Sequence, residues 1–247
     1  MQQPAFSLCV YCGSKPGNDP RFARLATEVG QWIGSHGGQL VYGGGRNGLM
    51  GIIADATRAS GGRVVGIIPS ALVEREWAHE GCDELHVVDT MHERKRMMAE
   101  RADTFMALPG GIGTFEELFE VWTWRQLGYH DKPIGILSSR GYYEAMMQFM
   151  HQVVREGFMG DWQMDLVQTG EDAAPLLREL TAGEAVGHVR PGPDPVVARA
   201  DLAGLSRDDV ERGPDQLRIV DHEFVAKARE RVASSIPVPV SSTRIST

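Results

Sequence analysis

TFMALPGGIGTFEELFEVWTW, residues 104–124, passes from an apolar run of strand length through a turn with three glycines into a segment of helical spacing. Phe115, Leu118, Phe119 and Trp122 recur at the 3.6-residue period. They predict a helix after Thr114 that buries this stripe. A strand, a glycine turn and an amphipathic helix in direct succession are the building unit of a parallel α/β sheet, with the turn at the sheet's carboxyl edge.

The same unit recurs on either side. Apolar runs at 6–11, 39–42, 63–69, 84–89, 104–109 and 133–137 alternate with amphipathic segments at 20–36, 49–59, 91–101 and 142–155. Strands this continuously apolar are covered on both faces. The expected fold is therefore an α/β, doubly wound, mostly parallel Rossmann-like sheet with helices on both faces, over residues 1–185. Beyond that point PGPDPVV and the terminal SSIPVPVSSTRIST are dense in proline and serine. Residues 186–247 are expected to form a partly irregular appendage with a short helix near 222–233.

Composition narrows the partners. Among 247 residues, 25 Lys and Arg stand against 33 Asp and Glu, a formal net charge of -8. A nucleic acid or an anionic membrane needs clustered cations, so neither is expected. No run approaches the roughly 18 apolar residues of a membrane helix, and the N-terminus lacks the pattern of a signal peptide. Cys9, Cys12 and Cys82 are odd in number and without metal-ligand spacing. They are expected to be reduced, in a cytoplasmic protein.

Three predicted strand ends carry glycine-rich turns: YCGSKPG (11–17), GGGRNGLMG (43–51) and PGGIGT (109–114). Any one could merely reverse the chain. Three at one sheet edge, each followed by a helix N-terminus, suit a small phosphorylated ligand. Gly43, Gly45 and Gly48 have dinucleotide-fingerprint spacing, but the next strand ends in IIPS, without the acidic residue that holds a ribose. A mononucleotide or sugar phosphate is the better fit.

Two helix starts are charged in unusual ways. Thr90 and Glu93 have capping-box spacing, which puts Arg94, Lys95 and Arg96 in the first turns, where the macrodipole disfavours cations. Arg96 has Glu100 four residues on; Arg94 and Lys95 have no such partner. Thr114 and Glu117 also have capping-box spacing, which offers Glu117 a purely structural role. Glu116, Glu117, Glu120 and Thr123 lie toward the flanks or outer face of that helix.

Together these segments resemble the LOG family of cytokinin riboside 5′-monophosphate phosphoribohydrolases. PGGIGTFEE (109–117) matches the PGGxGTxxE signature, and MHERK (91–95), YCGS, VYGGGRNGLMG, GIIPSAL and TWRQLGYHDKPIG add to a likeness spanning residues 5–182. The resemblance implies hydrolysis of the N-glycosidic bond of AMP or an N6-modified AMP to free base and ribose 5-phosphate, without metal or organic cofactor. It makes Arg94 and Glu117 the catalytic pair. Substrate contacts would come from Ser14, Gly44 and Gly45, from Glu76 in the EREW segment, and from Lys95. The motif itself would add Gly111, Ile112, Gly113, Thr114, Phe115 and Glu116, and the next block Thr123. It also implies a homodimer assembled through helices beside the site.

Three other readings compete. A nucleotide carrier on the same sheet would share the glycine turns but would not need Arg94 and Glu117. Lysine decarboxylation would need a Schiff-base lysine on pyridoxal phosphate, and the chain has only Lys15, Lys95, Lys132 and Lys227. A metal hydrolase is disfavoured because His79, His86, His92 and His130 show no ligand spacing.

Overall fold

The computed structural model describes residues 3–73 and 78–182. Its strands are β1 (Ser7–Tyr11), β2 (Gln39–Tyr42), β3 (Arg63–Pro69), β4 (Glu84–Val88), β5 (Thr104–Ala107), β6 (Ile134–Leu137) and β7 (Gln168–Gly170). All pair in parallel, in the order β4-β3-β2-β1-β5-β6-β7. The helices are α1 (Pro20–Ser35), α2 (Gly48–Ala59), α3 (Met91–Glu100), α4 (Ile112–Gln126), α5 (Glu144–Arg155), α6 (Asp161–Met164) and α7 (Ala173–Thr181). Among the described residues, no helix is long and apolar enough to cross a membrane.

Alternation along β1 divides the interior in two. Leu8 and Val10 share one core with Ile33 of α1, Ile53 of α2 and Leu177 of α7. Cys9 and Tyr11 share the other with Met98 of α3, Leu118 of α4 and Met150 of α5. Both faces of the sheet are therefore covered, as expected for a doubly wound fold. Each large apolar side chain so buried stabilises the fold by about 1.5–3 kcal/mol. That gain offsets a backbone ordering cost of about 1–2 kcal/mol per residue.

The chain builds β1 to β4 outward on one side and then returns to place β5 on the other side of β1. The order reverses between β1 and β5, and a crevice opens at the carboxyl ends of those two strands, as at other switch points of this architecture. In register, Tyr11 lies beside Ala107. The turns 11–17 and 109–114 are consequently neighbours, joined by Gly13 N–H donating to the Pro109 carbonyl at 3.1 Å.

Several boundaries differ from expectation. α4 starts at Ile112, with Gly111 as N-cap, not after Thr114. Its first turn closes through Phe115 N–H to the Gly111 carbonyl at 3.1 Å, and Thr114 is buried inside the helix. α5 begins at Glu144, behind a 3₁₀ turn at Ser139–Gly141 in which Arg140 takes a left-handed φ of 56°. β7, α6 and α7 were not expected. The 186–247 region, with the helix expected near 222–233, lies outside the described residues.

One half-buried histidine ties α4 to the loop before β6. His130 Nε2 donates to the Val121 carbonyl at 2.9 Å, and its Nδ1 accepts from Lys132 N–H at 3.1 Å, so the ring is held neutral. Burial lowers its pKa, partly opposed by the Val121 hydrogen bond. A base with a depressed folded pKa leaves the unfolded chain binding more protons, so stability falls as pH drops below the unfolded value of about 6.5 and levels off once the folded value is passed. Thermal melts between pH 7.5 and 5.5 should show this decline, and His130→Gln should flatten it. A wild-type melt that does not move across that window contradicts the assignment.

Candidate active site

At the switch point lies a cleft of about 490 Å³, with walls from the turn after β1, the turn after β5 and the starts of α2 and α4. Its glycine turns are set by close backbone packing. Gly48, at φ +60°, lies so near the Ser14–Lys15 peptide that any side chain would collide with it. Leu49 N–H donates to the Gly13 carbonyl at 3.0 Å, tying the start of α2 to the first turn.

The start of α4 presents unsatisfied donors to this space. No side chain caps the helix, and its first turn holds no acidic residue. The Ile112, Gly113 and Thr114 N–H groups therefore face the cleft side with the positive end of the helix dipole behind them. Gly111 and Gly113 have negative or helical φ, and an added side-chain carbon at either would meet no atom within 4 Å. Neither backbone strain nor packing accounts for glycine there. The backbone at both lies open.

Arg94 reaches the same space from α3. Thr90 caps that helix by accepting from Glu93 N–H at 3.1 Å, while Glu93 Oε2 accepts from Asp89 N–H, one residue before the cap. Arg94 is thereby fixed early in α3 and is only 5 % exposed. Its Nη2 donates to the Gly43 carbonyl at 3.3 Å, and a side chain at Gly43 would occupy the place of that nitrogen. Its Nη1 approaches Met91 Sδ at 3.8 Å. Its Nε is buried without a hydrogen-bond partner among the described residues. An unsatisfied buried donor costs about 1–3 kcal/mol, so the fold holds this cation at a loss.

Glu117 Oε1 stands 3.8 Å from Arg94 Nη2, both side chains largely buried and both lining the cleft. Because Gly111 is the N-cap of α4, Glu117 lies more than a turn into the helix and cannot close a capping box with Thr114. The capping role its spacing suggested is not the one it has. Cys12 also lines the cleft, but burial, followed by the Glu117 charge, holds its thiol far above the usual range, so it is no thiolate nucleophile at neutral pH.

Residues 50–180 match the family model described as "possible lysine decarboxylase". The chain is 43 % identical over 182 residues to a probable cytokinin riboside 5′-monophosphate phosphoribohydrolase of Oryza sativa subsp. japonica, covering 74 % of this chain and 79 % of the relative. It is 44 % identical over 173 residues to a cytokinin riboside 5′-monophosphate phosphoribohydrolase of Arabidopsis thaliana, covering 70 % and 81 %. The chain belongs to the LOG family. Among solved structures, the molybdenum cofactor binding protein of Rippkaea orientalis shares the fold with a TM-score of 0.54 at 17 % identity, over 74 % of this chain and 98 % of that one.

Of the residues that the LOG resemblance put at the site, the cleft brings together Ser14, Arg94, Gly111, Ile112, Gly113, Thr114 and Glu117. Gly44, Gly45, Lys95, Phe115, Glu116 and Thr123 do not line it. Gly44 and Gly45 join β2 to the 78–82 segment: the Gly44 carbonyl accepts from His79 N–H at 2.9 Å, and Gly45 bridges Ala78. Phe115 packs edge-on against Tyr143 at 6.0 Å. Thr123 is exposed on the outer face of α4. Glu76 lies outside the described residues. Lys95 is clasped by Glu116 at 2.5 Å and Glu120 at 3.0 Å, an α3–α4 link invisible to spacing within one helix. Burial would lower its pKa, but those two hydrogen-bonded carboxylates outweigh it and hold the ammonium above its usual range.

The cleft also includes Lys15 and Met50, which lie in the glycine turns but were not named as site residues, and Phe22 and Tyr142, which no sequence signal placed there. Tyr142 Oη donates to the Gly110 carbonyl at 2.6 Å and its ring meets Phe22 edge-on at 5.5 Å. Nothing local signals this, because Tyr142 follows a different strand from either partner. The histidines are dispersed. His79 contacts Asp55 and Tyr42, His86 contacts Glu84, and His130 braces α4. Among the described residues, no three His, Cys, Asp or Glu side chains converge as a metal site.

Proposed function

We propose that this chain hydrolyses the N-glycosidic bond of an adenine nucleoside 5′-monophosphate, AMP or an N6-modified AMP, to free base and ribose 5-phosphate. The observation that carries this reading is the Arg94–Glu117 pair set into a cleft whose rim is an uncapped helix N-terminus. The N–H groups of residues 112–114 bind the phosphate. The sugar then lies against Glu117.

Breaking the bond builds positive charge on the ribose ring. The Glu117 carboxylate stabilises that charge and takes a proton from the water whose oxygen bonds to C1′ as the bond from C1′ to the base breaks; the departing base takes up a proton from solvent, and Glu117 then returns its own to solvent. Arg94 orients the carboxylate. The anion site and the anionic side chain thus serve different atoms, which is why a glutamate stands beside a phosphate-binding turn. Relatives named as phosphoribohydrolases support the same reaction class.

Incubating the protein with AMP and quantifying adenine and ribose 5-phosphate tests the reading directly, and parallel assays of isopentenyladenosine monophosphate, GMP and CMP rank the base. Tight binding of AMP without release of adenine would instead favour a carrier. Lysine decarboxylation has less support here. Lys95 is shifted away from the easily deprotonated state a Schiff-base lysine requires, and Lys132 Nζ is occupied by the Ala99 carbonyl at 2.8 Å.

Gly113 supplies a test of the phosphate turn. In helical backbone with empty space around it, Gly113→Ala should stabilise the protein by about 0.4–1 kcal/mol, yet raise KM for AMP because the methyl group fills the ligand's approach. Paired urea melts and kinetics check this; a variant at once more stable and undiminished in AMP affinity removes the turn from the phosphate site.

A further inference from the structure

We propose that Lys15 supplies the cation for the substrate's 5′-phosphate and so sets the preference for a nucleotide over a nucleoside. The proposal rests on the phosphoribohydrolase reading of this cleft. Only three charged side chains line the cleft among the described residues: Lys15, Arg94 and Glu117. Arg94 faces Glu117 at 3.8 Å. Lys95, the cation nearest in sequence to Arg94, is committed to Glu116 and Glu120 and does not line the cleft. A phosphate monoester carries between one and two negative charges at neutral pH, and the uncapped N–H groups of α4 contribute only partial charge against it. Lys15 is the remaining full charge.

Its backbone is positioned for this. Gly13 is hydrogen-bonded to Pro109 of the phosphate turn and to Leu49 of α2. Gly48 packs directly against the Ser14–Lys15 peptide. Pro16 follows with a fixed φ. The loop is thus fastened on both sides of Lys15, while the side chain is exposed at the cleft, with no ion pair among the described residues. A mobile cation on a fixed base can close on a phosphate without displacing an existing partner.

Lys15→Met and Lys15→Arg should be compared with wild type for base release from AMP and from adenosine. Losing one charged hydrogen bond should raise KM for AMP about tenfold in Lys15→Met. The AMP-over-adenosine preference in kcat/KM should fall by about the same factor, with Lys15→Arg restoring most of both. Competition by ribose 5-phosphate should weaken in step. A wild-type KM for AMP in Lys15→Met, or equal losses for AMP and adenosine, overturns the proposal. If wild type releases no base from AMP, the phosphoribohydrolase reading fails on its own. Calorimetric binding of ribose 5-phosphate then still judges Lys15: weaker binding by Lys15→Met supports it and equal binding refutes it.

Discussion

Glu117→Gln should lower kcat for base release from AMP by about a thousand-fold, the scale of removing a carboxylate that both stabilises transition-state charge and moves a proton. The amide keeps the size and hydrogen-bonding reach of the carboxylate but has neither its charge nor its basicity. Had Glu117 merely closed a capping box, glutamine would serve equally well, since that box accepts either residue. The observed N-cap at Gly111 already separates the two roles. Steady-state kinetics with a thermal melt as folding control decide the matter. A Gln variant retaining more than about a tenth of wild-type turnover would show that the carboxylate is not the reacting group.

Arg94→Ala should reduce turnover by about a hundred-fold or more, the scale of losing a preorganised charged group. Arg94→Lys should recover little of it. The guanidinium spans the Gly43 carbonyl and Met91 Sδ while facing Glu117, and a lysine ammonium cannot reproduce that planar fork. The effect should fall mainly on kcat, because the arginine acts through the carboxylate and not on the phosphate. Full recovery in Arg94→Lys would reduce the role to charge alone. A loss confined to KM would move Arg94 into substrate binding.

The fold was legible where burial on both faces wrote itself into composition. β2 and β3 occupy the expected residues, and β1, β4, β5 and β6 differ only at their ends. β7 was illegible: three residues, QTG, at the sheet edge carry no apolar run, and only pairing with β6 makes them a strand. α7 buries Leu176, Leu177 and Leu180 in the core shared with α1 and β1, contacts that form only across the fold. The start of α4 was misplaced because T-x-x-E spacing imitates a cap. The true N-cap, Gly111, has no side chain and therefore no signature beyond its neighbours.

At the site, local chemistry exposed Arg94 through its position at the wrong end of a helix dipole, and the pairing of Arg96 with Glu100 was readable from spacing along one helix. Lys95 looked equally idle by that criterion, yet α4 provides its two carboxylates from across the fold. Tyr142 and Lys15 meet the cleft only because β6 and β1 flank β5.

From its residues alone the chain determined a two-faced parallel sheet, three glycine turns at one edge, and a cation and a carboxylate near two helix starts. These are consequences of periodicity and of backbone chemistry, which act over a few residues. Only the tertiary structure decided which of these groups share a cavity, because strand order is set by how the sheet's two faces are buried together. That order reverses between β1 and β5, and so places Arg94 and Glu117 in one cleft while turning Lys95 toward the carboxylates of α4.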